Sequence, residues 1–310
     1  MILRPGGYVD LPAHRGPGGF DHAAVDRKSG RLYVAHTSND ALDIIDLRAN
    51  RYEGSIDALT GVAGALVDEQ SGLVFTSNRG EDSVAIIHPD HPVDAAKVQV
   101  GRRPNGLAFD AGRGTLLAAN IGDPPDQSSP TLSLVDVERA ALVASIPLPG
   151  RPRWAVFDAR SDAYFVNIAE PAVIAVVAGA DPSRVAREIV IPAAGPHGLD
   201  IDDDGSLLCA ADAGQLIRLD RDGRAVAEGP LSGAPDVLFI DHQLRLVFVA
   251  VGNPGSIDVL DADTLAPIES VATEQGAHTI GFAADHHRVY AFLPGTHRAA
   301  VFQASRTHGG

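Results

Sequence analysis

Histidine and aspartate side chains at repeated positions are the residues best suited to do chemistry in this 310-residue chain. Twelve histidines are present, and three of them stand, with one aspartate, near the start of a recurrent apolar phrase: His22, His197, His278 and Asp236. Neutral imidazole and carboxylate together form the ligand set that zinc and other divalent transition metals prefer. We therefore expect these four residues to hold a divalent metal, and no motif indicates an organic cofactor.

Two further histidines are placed to transfer protons. His36 ends a predicted second strand, and His297 lies in the adjacent turn PGTHR. Imidazole titrates near neutral pH, so we assign both residues catalytic roles as proton carriers. No local motif such as HExxH supports this cluster. A structural interpretation therefore stays open, in which each histidine bonds neighbouring backbone at a strand end.

A second group of polar side chains on the same rim would bind the substrate. Arginine suits a carboxylate or phosphate, amides suit hydroxyls and carbonyls, and the single tryptophan offers a flat apolar wall. The predicted substrate-binding residues are Asn105, Arg153, Trp154, Asn78, Asn120 and Asn167. The loop 121–130, IGDPPDQSSP, either covers this rim or is an ordinary surface insertion.

The elements that must position these residues are seven copies of one phrase, written GLAFD in the third copy. A marker residue ends each copy, at spacings of 39 to 48: Asp26, Asp68, Asp110, Asp158, Asp202, Asp241 and Ala283. Three more short strands follow each of the first six phrases, and the last of them is the most polar. A period in the forties with four strands per unit is typical of propeller blades. The sequence thus predicts an all-β, seven-bladed propeller with four-stranded antiparallel blades.

We expect a single domain over residues 1–310. The predicted blades cover roughly residues 20–60, 61–101, 102–150, 151–194, 195–232, 233–273 and 274–305. The seventh copy lacks a fourth strand, while GGYVDLPA near the N-terminus reads as a strand without a partner. Residues 6–12 are therefore predicted to complete the last blade and remove an open edge.

The same arrangement separates the two faces of the propeller. First strands line the central channel, so their starts and the ends of the second strands meet at one mouth. The marker aspartates would lie at the opposite face as Asx-turn residues. The acidic run 200–205 resembles a calcium loop in composition, but it lacks the spaced ligands and closing glutamate, and a plain turn is expected.

Phrases such as GRRPNGLAFDAGRGTLLAAN, LSLVD and LVASIPLPGRP resemble YVTN-type repeats. Over about its whole length the chain is similar to the YncE-like seven-bladed propellers. Propellers of related appearance include lactonases of the phosphogluconolactonase and SMP-30 kinds, streptogramin B lyases, and binding proteins with no known chemistry. The resemblance implies the fold, and no catalytic motif of these proteins carries over residue by residue.

The amino-acid composition limits the classes of partner that this chain is expected to bind. The formal net charge is −15, with 40 acidic and 25 basic residues and no long basic run, which argues against nucleic acid as a partner. No segment approaches the ~18 apolar residues of a membrane span, and the N-terminus lacks a signal-peptide run. We expect a cytoplasmic protein, or a periplasmic one if a leader has been removed. The single cysteine, Cys209, is expected to be a buried, inert thiol.

Two functions fit this layout. The first is a metal-assisted enzyme, a lactone hydrolase or a lyase, that acts on a small anionic, oxygenated molecule in the channel mouth. The second is a propeller that binds a ligand or a protein without turnover. A scaffold whose histidines are only structural is a third interpretation.

Overall fold

Seven four-stranded antiparallel sheets make up the protein and confirm the predicted propeller. The computed structural model describes residues 1–126 and 128–306. Six sheets take their strands in chain order, and the innermost strands of neighbouring sheets contact one another around a central channel. Short apolar runs rich in Val, Ile and Leu form the strands, as expected for residues that pack on a pleated, buried surface.

The first four blades contain strands β2 to β17. Blade 1 comprises β2 (Ala23–Asp26), β3 (Arg31–His36), β4 (Ala41–Asp46) and β5 (Arg51–Ile56). Blade 2 comprises β6 (Val62–Asp68), β7 (Leu73–Asn78), β8 (Ser83–Ile87) and β9 (Ala96–Gln99). Blade 3 comprises β10 (Pro104–Asp110), β11 (Thr115–Asn120), β12 (Thr131–Asp136) and β13 (Ala141–Pro147). Blade 4 comprises β14 (Pro152–Asp158), β15 (Ala163–Ile168), β16 (Val173–Ala178) and β17 (Arg187–Val190).

The remaining strands form blades 5 to 7. Blade 5 comprises β18 (Pro196–Ile201), β19 (Leu207–Ala211), β20 (Gln215–Leu219) and β21 (Ala225–Pro230). Blade 6 comprises β22 (Pro235–Asp241), β23 (Leu246–Val251), β24 (Ser256–Asp261) and β25 (Pro267–Ala272). Blade 7 comprises β26 (Ile280–Ala283), β27 (Arg288–Leu293), β28 (Arg298–Ala304) and the N-terminal β1 (Leu3–Asp10). Short 3₁₀ turns occupy Thr37–Asn39, Pro92–Asp94 and Ala284–His286.

The apolar core lies between blades rather than within one central mass. Each pair of neighbouring blades shares its own hydrophobic cluster, so that seven clusters surround the channel in the described part of the chain. Phe248 of blade 6, for example, is fully buried and its ring lies 5.4 Å from that of Phe282 in blade 7. Burial of apolar area between blades is therefore the main stabilising contribution to the ring.

The N-terminal strand β1 pairs antiparallel with β28, from Leu3 opposite Ala304 to Asp10 opposite Arg298. The strand begins at Leu3, three residues before the range expected from the sequence. Its first residues are also held by blade 6, because the carboxylate of Glu269 accepts hydrogen bonds from the N–H of Ile2 at 2.6 Å and of Leu3 at 3.1 Å. Both ends of the described chain thus meet in one sheet.

The marker aspartates sit in turns at the face opposite the strand starts. Asp26 Oδ1, for example, accepts hydrogen bonds from the N–H groups of Lys28 at 3.0 Å and Ser29 at 3.3 Å. This is the Asx-turn pattern that the sequence predicts. It leaves the other end of each innermost strand to carry the polar residues of the mouth.

Across residues 1–126 and 128–306, the protein contains no helix with the length and apolar character needed to cross a membrane.

If β1 closes the last blade, substitutions at two adjacent residues should differ sharply in their effect on the free energy of unfolding. Val9 is 2 % exposed and Tyr8 is 64 % exposed, since they point to opposite sides of the strand. We expect Val9→Asp to lower the free energy of unfolding by about 3 kcal/mol, because it places an unpaired charge in the core between blades 7 and 1. The matched change Tyr8→Asp should cost less than about 1 kcal/mol. Chemical denaturation followed by tryptophan fluorescence measures both, and equal losses would contradict the closing role of β1.

Candidate functional site

Four innermost strands begin with a proline that is followed by a polar residue. The polar residues are Asn105 in β10, Arg153 in β14, His197 in β18 and Asp236 in β22. Proline has no N–H to donate to the hydrogen bonds of a sheet. Within sheets it is therefore confined to places such as the first position of a strand. In all four strands the pairing register shifts within the next residues, which marks a β-bulge. Such a bulge re-aims side chains, and here it brings the polar residues together at the channel mouth.

His197 is the centre of an ion network at this mouth. Its Nδ1 lies 2.8 Å from Asp212 Oδ1, and its Nε2 lies 3.1 Å from Asp236 Oδ1. Burial opposes protonation, but the two carboxylates outweigh it and raise the pKa of His197 to about 9. Burial equally opposes ionisation of Asp236, yet His197 and then His278 hold the pKa of this carboxyl well below its usual range. At neutral pH His197 is therefore an imidazolium that lies between the carboxylates of Asp212 and Asp236.

His278 stands beside the same carboxylate at a greater distance. Its Nδ1 donates a hydrogen bond to the carbonyl oxygen of Gly276 at 2.8 Å, and its Nε2 lies 3.9 Å from Asp236 Oδ2. The first contact fixes Nδ1 as the donor, so in the neutral ring the lone pair is on Nε2. The side chain is 36 % exposed. A molecule at the mouth can therefore reach the Nε2 of His278.

His22 and Trp154 meet across the channel, with ring centroids 4.2 Å apart. His22 is buried, and burial lowers its pKa although Asp21 lies 3.4 Å from its Nε2. The imidazole is therefore neutral at pH 7. Together the two rings form the floor of the mouth.

These contacts decide how well the predicted metal ligands fit a metal. The structure does bring His22, His197, His278 and Asp236 to one place. However, the spacing that a metal site needs occurs, among the described residues, at Asp202, Asp203 and His242 and not at these four residues. Both ring nitrogens of His197 face carboxylates instead. The four side chains are therefore arranged as an ion network rather than around a common point.

Arginines from blades 2 and 4 complete the mouth. Arg79 Nη2 lies 3.0 Å from Asp21 Oδ2 and donates to the side-chain oxygen of Asn105. Arg153 Nη1 lies 3.2 Å from His197 Nε2, and its Nη2 lies 3.5 Å from Asp212 Oδ2. The Nε groups of Arg79 and Arg153 are buried and have no hydrogen-bond partner in the described part of the chain. Each of the two arginines therefore contains one buried donor without a partner in the described part of the chain.

Two more arginines extend this positive region outward. Burial, followed by the charges of Arg153, Arg79 and Arg103, lowers the pKa of Arg151. Arg103 and Arg151 also line a cavity of about 740 Å³ beside the loop 121–130, whose Gln127 lies outside the described residues. The described part of this loop therefore stands next to the arginines, on the mouth side of the propeller.

The two predicted proton carriers lie elsewhere. His36 is fully buried, with Nδ1 2.7 Å from the buried Asp43. His297 packs against His14, with ring centroids 4.4 Å apart, and His14 packs against His36 at 5.0 Å. These rings fill the boundary between blades 7 and 1. His36 and His297 thus form a separate cluster, and the geometry does not support a role for them in proton transfer at the mouth.

The three predicted asparagines of the second strands also serve the fold. Asn78, Asn120 and Asn167 are fully buried. Asn78 donates to Ser83 at 3.1 Å, Asn120 donates to Thr131 and Ser133 at 3.0 Å, and Asn167 donates to the carbonyl oxygen of His197 at 2.9 Å. The prediction that they bind substrate therefore differs from the structure. They satisfy backbone and side-chain groups inside the blades, and Asn167 fixes the strand that carries His197.

Cys209 is buried, as expected, and burial raises the pKa of its thiol to about 12. Its Sγ donates to the side-chain oxygen of Asn167 at 3.7 Å. The thiol is therefore protonated at neutral pH and is not a nucleophile.

A group that could hold a metal ion occurs at the opposite face, in the acidic run expected to be a plain turn. The ligand atoms of Asp202, Asp203 and His242 lie within 4.8 Å of one another. Asp202 is already bound by two guanidinium groups, Arg245 at 2.7 Å and Arg218 at 2.7 Å. Burial opposes its ionisation, but these arginines hold its pKa well below the usual range. An ion here would compete with both arginines.

Comparison with known proteins adds information on the fold. No family model matches the chain, and no curated protein matches it. Among solved structures, the chain is similar to Kuenenia stuttgartiensis hydrazine synthase, with a TM-score of 0.80 and 16% sequence identity over 95% of this chain and 97% of that one. This likeness shows the fold alone.

The structure adds residues that were not in the predicted set. Asp21, Arg79 and Asp212 take part in the ion network. Asp21 precedes a predicted metal ligand, and Asp212 follows the second strand of blade 5. Their positions were the available signal. Asp21 stands five residues before its marker, as His197 does, and Asp212 stands at the end of a second strand, as His36 does.

The state of His197 predicts a pH dependence of stability. A pKa raised from 6.5 to about 9 in the folded protein contributes stability that is complete below pH 6.5 and is lost as pH rises through 9. We expect the free energy of unfolding to fall by about 1–3 kcal/mol between pH 6 and pH 9.5. In His197→Gln this loss should disappear. Denaturant titrations at the two pH values measure it, and parallel losses in both proteins would contradict the assigned charge state.

Proposed function

We propose that the protein is a small-molecule enzyme that binds an anionic, oxygenated substrate at the channel mouth and acts on it by acid–base chemistry. The observation that carries this proposal is that Arg153 and His197 meet at the mouth, with 3.2 Å between Arg153 Nη1 and His197 Nε2. When His197 is protonated, as its raised pKa indicates, these groups are two cations, and a bound anion would relieve their repulsion.

Arginines supply positive charge at the mouth of an otherwise acidic protein. Asp21, Asp212 and Asp236 contribute three negative charges, and Arg79, Arg153 and protonated His197 balance them with three positive charges. Arg103 and Arg151 lie further out, in a cavity that Asp123, Asp126 and Glu170 also line. Guanidinium groups bind carboxylate and phosphate oxygens through paired N–H donors. A carboxylate or phosphate on the substrate would therefore sit between Arg79, Arg151 and Arg153.

Among the described residues, His278 is the best placed proton acceptor. Its tautomer is fixed by Gly276, and its Nε2 is reachable from solvent. In a lactone hydrolase, Nε2 would take a proton from the attacking water, and the ring-opened product would be a hydroxy acid. In a lyase, Nε2 would remove the proton next to the carboxylate, and the leaving group would depart with the electron pair. His197 and the arginines would stabilise the negative charge that develops on oxygen.

The lactone hydrolase and the lyase remain the two reaction classes, in line with the resemblance to YncE-like and lactonase-type propellers. A propeller that binds the anion without turnover is the alternative. The metal-assisted form has less support, because the spacing of a metal site occurs, among the described residues, at Asp202, Asp203 and His242 and not at the mouth.

Anion binding is tested with gluconate and citrate by calorimetric titration. We expect Arg153→Gln to weaken binding roughly ten- to a hundredfold, since a hydrogen bond to a charged group contributes about 1.5–3 kcal/mol. The control is Arg139→Gln, an arginine that is 77 % exposed and pairs with Asp136 on another blade edge. Wild-type protein that binds neither anion, or an Arg139 variant that loses as much affinity as the Arg153 variant, would overturn the anion site.

Turnover is tested separately with glucono-1,5-lactone and its 6-phosphate, by proton release, and with hydroxy acids, by the ultraviolet absorbance of an unsaturated product. His278→Ala should lower the turnover rate by at least about a hundredfold, while the affinity for gluconate changes by less than about threefold. If the wild-type protein binds these anions and turns over none of them, the binding alternative replaces the enzyme.

A further inference from the structure

The central channel consists of two separate compartments. Trp154 from blade 4 and His22 from blade 1 meet in it, with their rings tilted by 47°, and these rings lie between the polar mouth and a second cavity of about 620 Å³. The cavity extends from these rings to the face that carries the marker turns, where Arg27 and Ala111 are exposed. It is therefore a pocket with its own entrance, distinct from the mouth described above.

The wall of this second pocket is apolar and rich in aromatic rings. Phe109, Phe157, Phe239 and Phe282 line it together with Trp154, and smaller residues such as Val25 and Val67 fill the spaces between them. Three of the four phenylalanines are only partly buried by the protein itself. The volume lies within the range of about 300–1,000 Å³ that is typical of small-molecule sites. The pocket thus has the size and lining for an apolar body.

One carboxylate interrupts the apolar wall. The residues two positions before each marker are Ala24, Leu66, Ala108, Val156, Asp200, Phe239 and Gly281, so only blade 5 places a charge in this ring. Among the described residues, Asp200 accepts hydrogen bonds only from backbone N–H groups, of Ile201 at 2.8 Å and Ile240 at 3.2 Å. In the described part of the chain no arginine or lysine side chain contacts this carboxylate, and Arg27, which also lines the pocket, stands at its rim.

The entrance carries charge of the same sign. Arg27 is paired with Glu69 at 2.6 Å and lies 3.6 Å from Asp285, and Asp68 lines the same rim. Three acidic groups therefore surround one arginine. A negative rim in a strongly acidic protein attracts cations and disfavours anions. The substrate class proposed for the mouth does not suit this pocket.

We propose that this pocket, between Trp154 and the marker turns, is a second binding site that takes an organic ammonium ion with an apolar body. The carboxylate of Asp200 pairs with the ammonium group, and the phenylalanine rings enclose the rest of the molecule. Aromatic faces also attract cations directly, which adds to the affinity for an ammonium group over a neutral one. This site does not depend on the function proposed for the mouth.

The test compares 2-phenylethylamine, as the ammonium probe, with the neutral 2-phenylethanol in calorimetric titrations of the full chain. We expect the amine to bind saturably and at least about tenfold more tightly than the alcohol. Asp200→Asn should remove most of this difference by weakening the amine alone. Asp222→Asn, a change at a carboxylate that is 74 % exposed and lies outside the pocket, should leave both affinities unchanged.

Equal affinity for the two probes, or an Asp200→Asn protein that binds the amine as tightly as the wild type, would overturn the proposal. So would the absence of saturable amine binding at millimolar concentration. If Asp200→Asn does not fold, the ratio of the two wild-type affinities decides, together with Phe109→Leu, which should weaken the amine more than the alcohol. Arg153→Gln should leave amine binding unchanged, which separates this site from the mouth.

Discussion

The innermost strands of neighbouring blades approach one another so closely that some positions can carry no side chain. A Cβ on Gly64 would collide with the carbonyl oxygen of Asn105, and a Cβ on Gly106 would collide with that of Arg153. At Gly198 the same atom would lie 2.6 Å from the carbonyl oxygen of Asp236. Real Cβ atoms do not come so near, so glycine is required at these positions. Because these strands touch, the residues just before the glycines become neighbours around one ring.

In blades 1 and 4 the equivalent position carries an aromatic ring. These residues are His22 and Trp154, and their rings meet at 4.2 Å. The same ring of strands therefore lies between a polar mouth with arginine and histidine side chains and an apolar pocket with a negative rim. If water and salt connected the mouth with the pocket, they would screen the electric field of each. The aromatic floor keeps the two electrostatic environments apart within one fold.

The sequence predicted the fold well because the repeat is itself the physical unit. Each copy is one sheet that cannot bury its apolar faces alone, so the period of the phrase directly counts blades. It also placed His197, Asp236, Arg153 and Asn105 at one mouth, since each occupies the same position after a proline.

The directions of individual side chains could not be predicted in the same way. Successive residues of a strand point to opposite sides, and a bulge of one residue reverses the assignment. His36 and Asn78 end their strands beside the mouth but point into the blades, where Asp43 and Ser83 bind them. The charge state of His197 was equally hidden, because it depends on Asp212 and Asp236 from two different blades. A metal site looked plausible from composition, whereas the contacts convert the same residues into an ion network.

The ion network at the mouth is not what holds the propeller together. Stability comes mainly from the seven apolar clusters between blades in the described part of the chain. Removing charges from water is costly, and well-packed apolar residues often replace a buried ion pair without loss of stability. Loss of His197 alone is harmful because Asp212 and Asp236 then keep only longer contacts, with Arg153 at 3.5 Å and His278 at 3.9 Å. Charged groups held in a fixed arrangement at a site that the fold does not require are best explained by a ligand whose charge they complement.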